Sequence, residues 1–348
     1  MKRRDFDRHA LLALARGPWQ GVSSKGAARC RFGSAALVRC KHPAMATVFE
    51  TVMPWREDAA AWAQHLFQII DDIESQLTVY RNDSEISVIN RLAFDRSVEV
   101  EPRLFELFQK SEKLTRETWG AFDITMGPLI RAWGFWRRQG RIPPPQERHQ
   151  AWQRVGMHRV ELTADRRTIR FQKAGMELNL GSIGKGYALD RCFEMARDAG
   201  FQSLLMHAGG SSVRAVGNQP GCKGWSVGIR HPWEAHRRIA LLTLCDRALA
   251  TSAATHQHFE YNGRKFGHLL DPRTGRPAEG IASATAVAPT AAEADALSTA
   301  FFILGLEKTR LYCSKHPDVG AIILVEGAEQ PEVINLPDAN VSLLPPPS

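Results

Sequence analysis

Apolar residues recur at intervals of three and four in three long segments of the chain, which is the spacing of an amphipathic helix. The predicted helices cover residues 58–77, 102–118 and 290–304. Thr290 and Glu293 have the spacing of a capping box at the start of the third helix, and Gly305 follows it as a C-terminal stop. The helical part of the fold is therefore predicted from periodicity and capping together.

Shorter segments rich in β-branched and aromatic residues predict strands. They comprise residues 46–52, 160–162, 168–171, 203–207, 225–230, 239–245 and 281–287. Residues 160–171 have the form of a hairpin with a polar turn. Because hairpins and helices are mixed without a repeating strand–helix–strand order, we predict an α+β fold with mixed, largely antiparallel sheets and packed helices.

A cluster of glycines stands out near the middle of the chain. An apolar, strand-like segment, residues 175–180, leads into Gly181, Gly184 and Gly186, and an amphipathic segment follows from Tyr187. Glycine lets backbone N–H groups approach a ligand, and a helix N-terminus adds partial positive charge. This strand–turn–helix pattern suits a phosphate group, although such a turn is by itself more often only a tight turn. Its spacing matches neither a P-loop nor the dinucleotide GxGxxG motif.

The basic charge of the chain is concentrated at its N-terminus. Residues 1–44 contain ten Lys and Arg against two Asp, which accounts for the whole net charge of +8. We therefore predict a basic, flexible arm over residues 1–44, a folded domain of one or two subdomains over residues 45–330, and a tail over residues 331–348. Since the remainder is neutral, a nucleic-acid-binding body is not expected.

The first residues, KRRDF at positions 2–6, resemble a twin-arginine export signal. Only residues 10–15 are apolar before Arg16 interrupts them, which is shorter than the roughly 7–15 residues of a working signal. A cytoplasmic protein is favoured slightly, with export as the alternative. No apolar run approaches the roughly 18 residues of a membrane helix. The six cysteines are scattered without a CxxC pair, so reduced thiols are expected.

Three polar residues share one face of the predicted helix that begins at Thr290. Asp295, Ser298 and Thr299 are three and four positions apart. Carboxylate and hydroxyl oxygens are ligands that Mg²⁺ accepts, so this face is a candidate cation site. By spacing alone, a solvated polar stripe remains the commoner interpretation.

Other candidate residues are ambiguous when taken singly. His268 could act as a general base or bond to nearby backbone. Lys185 could contact phosphate or be solvated, and Tyr80 could stack on an aromatic ligand or lie partly buried in a turn. The aromatic group at residues 133–136 is more often core than a stacking surface.

The order of the motifs is more specific than any one of them. Along the chain come MATVFE at residues 45–50, LTVYRNDSE at 77–85, GAFDITMGP at 120–128, NLGSIGKGYALD at 179–190, GHLLDPRTGRP at 267–277 and ADALSTA at 294–300. This series resembles the FAD:protein FMN transferases of the ApbE family over about residues 45–310.

The resemblance implies an enzyme that binds FAD and Mg²⁺, transfers FMN to a Thr or Ser hydroxyl of an acceptor protein and releases AMP. By motif position, the FAD site would comprise Met45, Tyr80, Ala121, Phe122, Asp123, Asn179, Lys185, His268 and Leu270. The metal would be bound by the Ser182 carbonyl and by the side chains of Asp295 and Thr299, with Ser298 beside them. His268 and Asp295 would be catalytic, and either could deprotonate the acceptor hydroxyl.

Three positions depart from the family pattern. Asn179 stands where an acid is usual, Ser211 replaces the usual Asp or Asn after the glycine pair, and Ala253 replaces a glycine. Two alternative functions therefore remain open: an FAD pyrophosphatase that gives FMN and AMP, and a flavin-binding protein without turnover.

Overall fold

A computed structural model describes residues 36–137, 140–234, 236–253, 258–261 and 264–345. The α-helices of this part of the chain are α1 (Ala59–Leu77), α2 (Glu85–Leu92), α3 (Pro102–Glu117), α4 (Gly127–Ala132), α5 (Pro145–Trp152), α6 (Gly184–Asp198) and α7 (Ala291–Lys315). The strands are β1 (Leu37–Ala44), β2 (Thr47–Pro54), β3 (Val98–Glu99), β4 (Val160–Thr163), β5 (Thr168–Phe171), β6 (Ser203–Ala208), β7 (Ser212–Gly217), β8 (Trp225–Arg230), β9 (Arg238–Leu244), β10 (Ala248–Ala253), β11 (His258–Tyr261), β12 (Arg264–Gly267), β13 (Leu270–Asp271), β14 (Arg276–Pro277), β15 (Ile281–Ala288), β16 (Gly320–Val325), β17 (Glu332–Ile334) and β18 (Val341–Leu343).

The centre of the fold is an eight-stranded sheet in the order β1-β2-β6-β7-β10-β15-β16-β17. Every neighbouring pair in it is antiparallel. Smaller sheets are formed by β18-β9-β8 and by β3-β5-β4. The predicted α+β fold with largely antiparallel sheets is confirmed.

Both faces of the large sheet are buried. One face packs against α1, α6 and α7 in the main core, and the other packs against β8 and β9 in a second core. Strand β15 is buried at every position, with Ala284 and Ala286 facing the helices and Ala282 and Val287 in the second core. A strand buried on both faces is continuously apolar, which is why its sequence does not alternate.

The three long helices occur close to their predicted limits as α1, α3 and α7. Thr290 accepts the capping bond from the Glu293 N–H at 3.3 Å. Gly305 has φ 78° and interrupts the helical geometry of α7, so that a second helical segment continues to Lys315. The predicted stop at Gly305 is therefore a break between two helical segments.

The strand predicted at residues 175–180 is wrong. Leu178 exchanges both backbone bonds with the Asn90 side chain at 2.7 and 3.0 Å, and the Asn179 N–H donates to the Ile124 carbonyl at 2.7 Å. The segment is extended and buried, which explains its apolar alternation. Its backbone N–H and C=O groups, however, bond to a side chain and to a loop carbonyl and not to a neighbouring strand of a sheet. Helix α6 begins at Gly184, earlier than the predicted Tyr187.

The predicted limits of the arm and the tail also differ from the structure. Strand β1 lies within residues 1–44 and pairs with β2 along its whole length. Its basic residues Arg39 and Lys41 both pair with Glu50, at 2.8 and 3.5 Å, so two of the ten basic residues that indicated an arm belong to a strand. Strands β17 and β18 lie within residues 331–348 and join two sheets. Residues 1–35, with the twin-arginine-like start, lie outside the described residues.

Within the described ranges, none of the helices combines the length and hydropathy needed for a membrane span.

Candidate active site

Helices α6 and α7 approach each other closely at a glycine. A Cβ on Gly186 would lie 2.0 Å from the Ala291 carbonyl oxygen, so only glycine permits this contact. Asp190, one turn further along α6, accepts the N–H groups of Ala291 and Ala292, each at 2.8 Å. These bonds satisfy orphan donors at the start of α7 and fix the register of the two helices.

The register of these helices places the Asp295 carboxylate against the start of α6. One carboxylate oxygen accepts the Gly186 N–H at 2.6 Å, and the other accepts the Ser212 hydroxyl of β7 at 2.5 Å. Burial raises the pKa of Asp295, while the nearby Lys185 charge and these two bonds oppose the rise. An ionised Asp295 is therefore costly here unless more positive charge is supplied.

Hydroxyl groups cluster next to Asp295. The Ser252 hydroxyl, on β10, lies 2.9 Å from the Ser298 hydroxyl and 3.3 Å from the Thr299 hydroxyl. Ser298 also donates to the Asp295 carbonyl at 2.9 Å. The structure thus brings together Asp295, Ser298 and Thr299 as predicted and adds Ser252, which the sequence analysis missed. In the sequence, Ser252 could have been found only through its neighbour Ala253, which stands where the family pattern has a glycine.

Lys185 and Asn179 lie on either side of the glycine turn. The Lys185 ammonium donates to the Ser211 hydroxyl at 3.2 Å, and the Asn179 amide oxygen accepts the Gly181 N–H at 3.0 Å. Ser182 follows in the same turn, two residues before the start of α6. Two of the three departures from the family pattern, Asn179 and Ser211, therefore form hydrogen bonds with residues of this turn.

The Ala121–Phe122–Asp123 motif is buried. Ala121 and Phe122 belong to the main core. Asp123 accepts bonds from the Thr125 N–H at 2.7 Å, the Thr125 hydroxyl at 2.6 Å and the Met157 N–H at 2.9 Å, and burial raises the pKa of Asp123. These side chains support the local backbone, which leaves main-chain atoms as the groups this motif can offer a ligand.

The remaining predicted residues lie among aromatic and apolar side chains. Tyr80 is 69% exposed, and its ring lies 4.6 Å from the ring of Trp136. His268 is half-buried and meets the Phe135 ring edge-on at 6.4 Å. Leu270 is buried in the cluster of apolar side chains around Leu129. Half-buried Met45, with φ 49°, packs near Gly184.

A cavity of about 610 Å³ is lined by Trp119, Asp123 and Trp152. Lys185 and Asp295 do not line it. This cavity therefore includes Asp123 but not the groups around Asp295.

The donor set around Asp295 fits a hard cation. Among the residues that the structure describes, no group of three or more His, Cys, Asp or Glu side chains is placed to bind a metal. Asp295 with Thr299 and neighbouring hydroxyls instead supplies oxygen, the ligand atom that Mg²⁺ prefers. Each carboxylate oxygen accepts one bond and retains a second lone pair, so coordination is still available.

Comparison with known proteins gives one consistent result. The ApbE family model matches residues 45–323. The chain is 32% identical over 250 residues to the FAD:protein FMN transferase of Haemophilus influenzae, covering 69% of this chain and 71% of that protein. It is 29% identical to the enzyme of the same name from Treponema pallidum, covering 75% of this chain and 76% of the relative.

Solved structures share the fold. The ApbE protein from Thermotoga maritima superposes with a TM-score of 0.79 at 28% identity, covering 86% of this chain and 97% of that one. The flavin transferase ApbE from Vibrio cholerae superposes with a TM-score of 0.76 at 22% identity, covering 86% and 97%, and supports the fold alone. With the family model covering most of its length, this chain belongs to the ApbE family.

Proposed function

We propose that the protein is a magnesium-dependent FAD:protein FMN transferase. It moves FMN from FAD onto a Thr or Ser hydroxyl of an acceptor protein and releases AMP. The observation that carries the proposal is the buried Asp295 carboxylate, held at the start of α6 beside Lys185 and three hydroxyls. The names of the curated relatives support the same activity.

The start of α6 is suited to the pyrophosphate of FAD. Its first N–H groups carry partial positive charge, and Lys185 adds a full charge. Among the described residues, the hydrogen-bond partner of Lys185 is the neutral Ser211 hydroxyl, which does not neutralise the ammonium group. An anion can therefore pair with Lys185 without displacing a carboxylate.

Asp295 and Thr299, with the carbonyl of Ser182, would hold the magnesium ion. When bound, the ion supplies positive charge that stabilises the pyrophosphate oxygens during phosphoryl transfer. The hydroxyl of Ser252 supports Ser298 and Thr299 from β10 and limits their side-chain rotation.

The transfer forms one phosphorus–oxygen bond and breaks another. The acceptor hydroxyl oxygen attacks the FMN phosphorus, and the bond to AMP breaks with its electron pair leaving on AMP. The hydroxyl proton passes to a base, either His268 or Asp295. Histidine is the commonest general base in enzymes, and burial raises the pKa of Asp295 above its ordinary value, which favours proton uptake by its carboxylate.

Asn179 stands where the family pattern has an acid. Its amide oxygen accepts the Gly181 N–H, so the glycine turn has a side-chain acceptor at this position. Compared with an acid, the amide lacks a negative charge near the proposed pyrophosphate site. This supports an active transferase over a protein that binds flavin without turnover.

The direct test is mass spectrometry of a co-expressed flavin-acceptor domain. We expect a mass increase of one FMN on a Thr or Ser. When the purified protein and acceptor domain are mixed, the increase should depend on added FAD and Mg²⁺ and be prevented by EDTA. Asp295→Ala should abolish labelling. Asp198→Ala, at the end of α6, is the control and should label normally. Undiminished labelling by Asp295→Ala would contradict the role of Asp295.

The same protein incubated with FAD and Mg²⁺ but no acceptor distinguishes the pyrophosphatase alternative. A transferase should release AMP slowly without an acceptor and rapidly with one. Rapid AMP release that does not respond to the acceptor would favour hydrolysis. A tight FAD complex that releases no AMP in either case would favour a binding protein.

A further inference from the structure

Trp136 lies beside Tyr80, one of the residues predicted for the FAD site. Its ring is 4.6 Å from that of Tyr80, with the two planes inclined by 42°. Trp133, in the same aromatic group, is buried as the sequence predicted, whereas Trp136 is only half-buried. The two indoles therefore have different surroundings, and Trp136 presents part of its ring beside an exposed tyrosine.

A cation holds Trp136 in place. The Arg131 guanidinium, at the end of α4, lies 3.8 Å from the centre of the Trp136 ring. Its Nε donates to a Glu177 carboxylate oxygen at 2.5 Å. Because the guanidinium is paired and stacked at once, both its position and that of the indole are restrained.

Glu177 connects this arrangement to the glycine turn. It lies two residues before Asn179, and its carbonyl accepts the Gly127 N–H at 3.2 Å. A Cβ on Gly127 would lie 2.5 Å from the Glu177 Cβ, so the start of α4 lies directly on this segment. Helix α4 therefore sets the position of Trp136 relative to the turn that carries Asn179 and Lys185.

Tyr80 and Trp136 together form a larger aromatic surface than Tyr80 alone. Tyr80 alone could stack on a small ring, whereas Tyr80 and Trp136 together offer two neighbouring rings. A flat, extended and electron-poor ring system gains most from such a surface, because stacking grows with overlap and an indole is electron-rich. The isoalloxazine of a flavin has this chemistry.

We propose that Trp136 is a second aromatic wall of the flavin-binding site, restrained by Arg131 and Glu177. The isoalloxazine ring binds against Tyr80 and Trp136, while the pyrophosphate binds at the start of α6. The inference rests on the proposed function, since it takes FAD as the ligand. Trp136 then determines specificity for flavin over dinucleotides that carry a smaller ring.

The test compares a ligand that has the isoalloxazine ring with one that lacks it. Dissociation constants for FAD and for ADP are measured with the wild type, Trp136→Ala and Trp136→Phe, together with the fluorescence of bound flavin. For Trp136→Ala we expect about tenfold weaker FAD binding, less quenching of flavin fluorescence and unchanged ADP binding. Trp136→Phe should retain most of the affinity.

Trp55→Ala is the matched control. Trp55 is 63% exposed and precedes α1, whereas Tyr80 follows the other end of that helix. A helix of 19 residues is about 28 Å long, so Trp55 is far from Tyr80. This variant should bind FAD as the wild type does. If Trp136→Ala binds FAD and quenches its fluorescence as the wild type does, the proposal is overturned. If the variant binds FAD and ADP more weakly by the same factor, Trp136 has a structural role and the proposal is also overturned. A wild type that binds ADP but not FAD would instead contradict the proposed function itself.

Discussion

At the scale of single residues, the site contains a buried carboxylate whose desolvation opposes folding, and its hydrogen bonds offset only part of that cost. Asp295 is a carboxylate in a fully buried position, and burial raises its pKa. Its hydrogen bonds to Gly186 and Ser212 limit the cost without removing it. Residues of this kind cluster at functional sites, where a bound cation supplies the missing charge.

Asp295→Asn should make the metal-free protein more stable at neutral pH while abolishing flavin transfer. The pKa of Asp295 is higher in the folded protein than in the unfolded chain. The stability that Asp295 contributes is therefore fully present at a pH below its unfolded pKa, and it is lost as the pH rises through its folded pKa. Thermal unfolding in EDTA at pH 7 should give a higher melting temperature for the variant. The increase should be about 2 °C for each kcal/mol gained in the free energy of unfolding. The difference should shrink toward pH 4.

Magnesium supplies the complementary measurement. Saturating Mg²⁺ at about 100 times its dissociation constant should stabilise the wild type by about 2.7 kcal/mol and leave Asp295→Asn unchanged. An equal response of both proteins to Mg²⁺ would show that the ion binds elsewhere.

Ser252→Ala should weaken Mg²⁺ binding by about tenfold, because groups that orient metal ligands typically contribute 10–100-fold to affinity. The change removes the common partner of Ser298 and Thr299. The measurement is the Mg²⁺ concentration that gives half-maximal labelling. Ser283→Ala is the control, since Ser283 is a buried serine of β15 whose hydroxyl has no hydrogen-bond partner among the described residues. Equal Mg²⁺ requirements in the two variants would contradict the role of Ser252.

At the scale of elements, the packing of α6 on α7 decides where the Asp295 carboxylate lies. Two contacts fix this packing, the close approach at Gly186 and the capping of α7 by Asp190. The sequence predicted both helices from their periodicity. It did not predict that α6 begins at Gly184, because the glycines there were interpreted as a turn.

Gly186→Ala and Gly184→Ala form a matched pair in the first turn of α6. The new Cβ at residue 186 would meet the Ala291 backbone at 2.0 Å and force the helices apart, at a cost of about 1–3 kcal/mol or more. At residue 184 the nearest atoms are the ends of Leu77 and Met45 at 3.4 Å, and replacement of a helical glycine gains at most about 1 kcal/mol. Chemical denaturation should therefore show a loss of stability for Gly186→Ala alone. Equal stabilities would mean that the helices are not held at this distance.

At the scale of the whole molecule, the large sheet is completed from both ends of the chain. Strand β1 forms one edge beside β2, and β17 forms the other beside β16. The charge of Arg39 and Lys41 suggested a flexible segment, but both lie on the face that meets Glu50, while Val38 and Cys40 pack on the main core. Composition alone cannot show this alternation of faces.

A variant that lacks residues 1–44 should be less stable than one that lacks residues 1–35. Removal of β1 exposes β2 as a long apolar edge and removes the burial of Cys40 and Ala44. We expect the melting temperature to differ by about 5 °C or more, and the shorter protein to aggregate more readily. Identical melting curves would show that β1 contributes nothing to the folded state.

The sequence by itself determined the helices α1, α3 and α7, the α+β class and the family, because periodicity, capping and ordered motifs are local signals along the chain. Only the tertiary structure decided that Gly186 and Ser212 hold the Asp295 carboxylate, 109 and 83 residues away, and that Ser252 joins the hydroxyls of α7. It also decided that Trp136 stands beside Tyr80. Such contacts depend on how both faces of the large sheet are covered, and residues far apart in sequence meet only once that packing is complete.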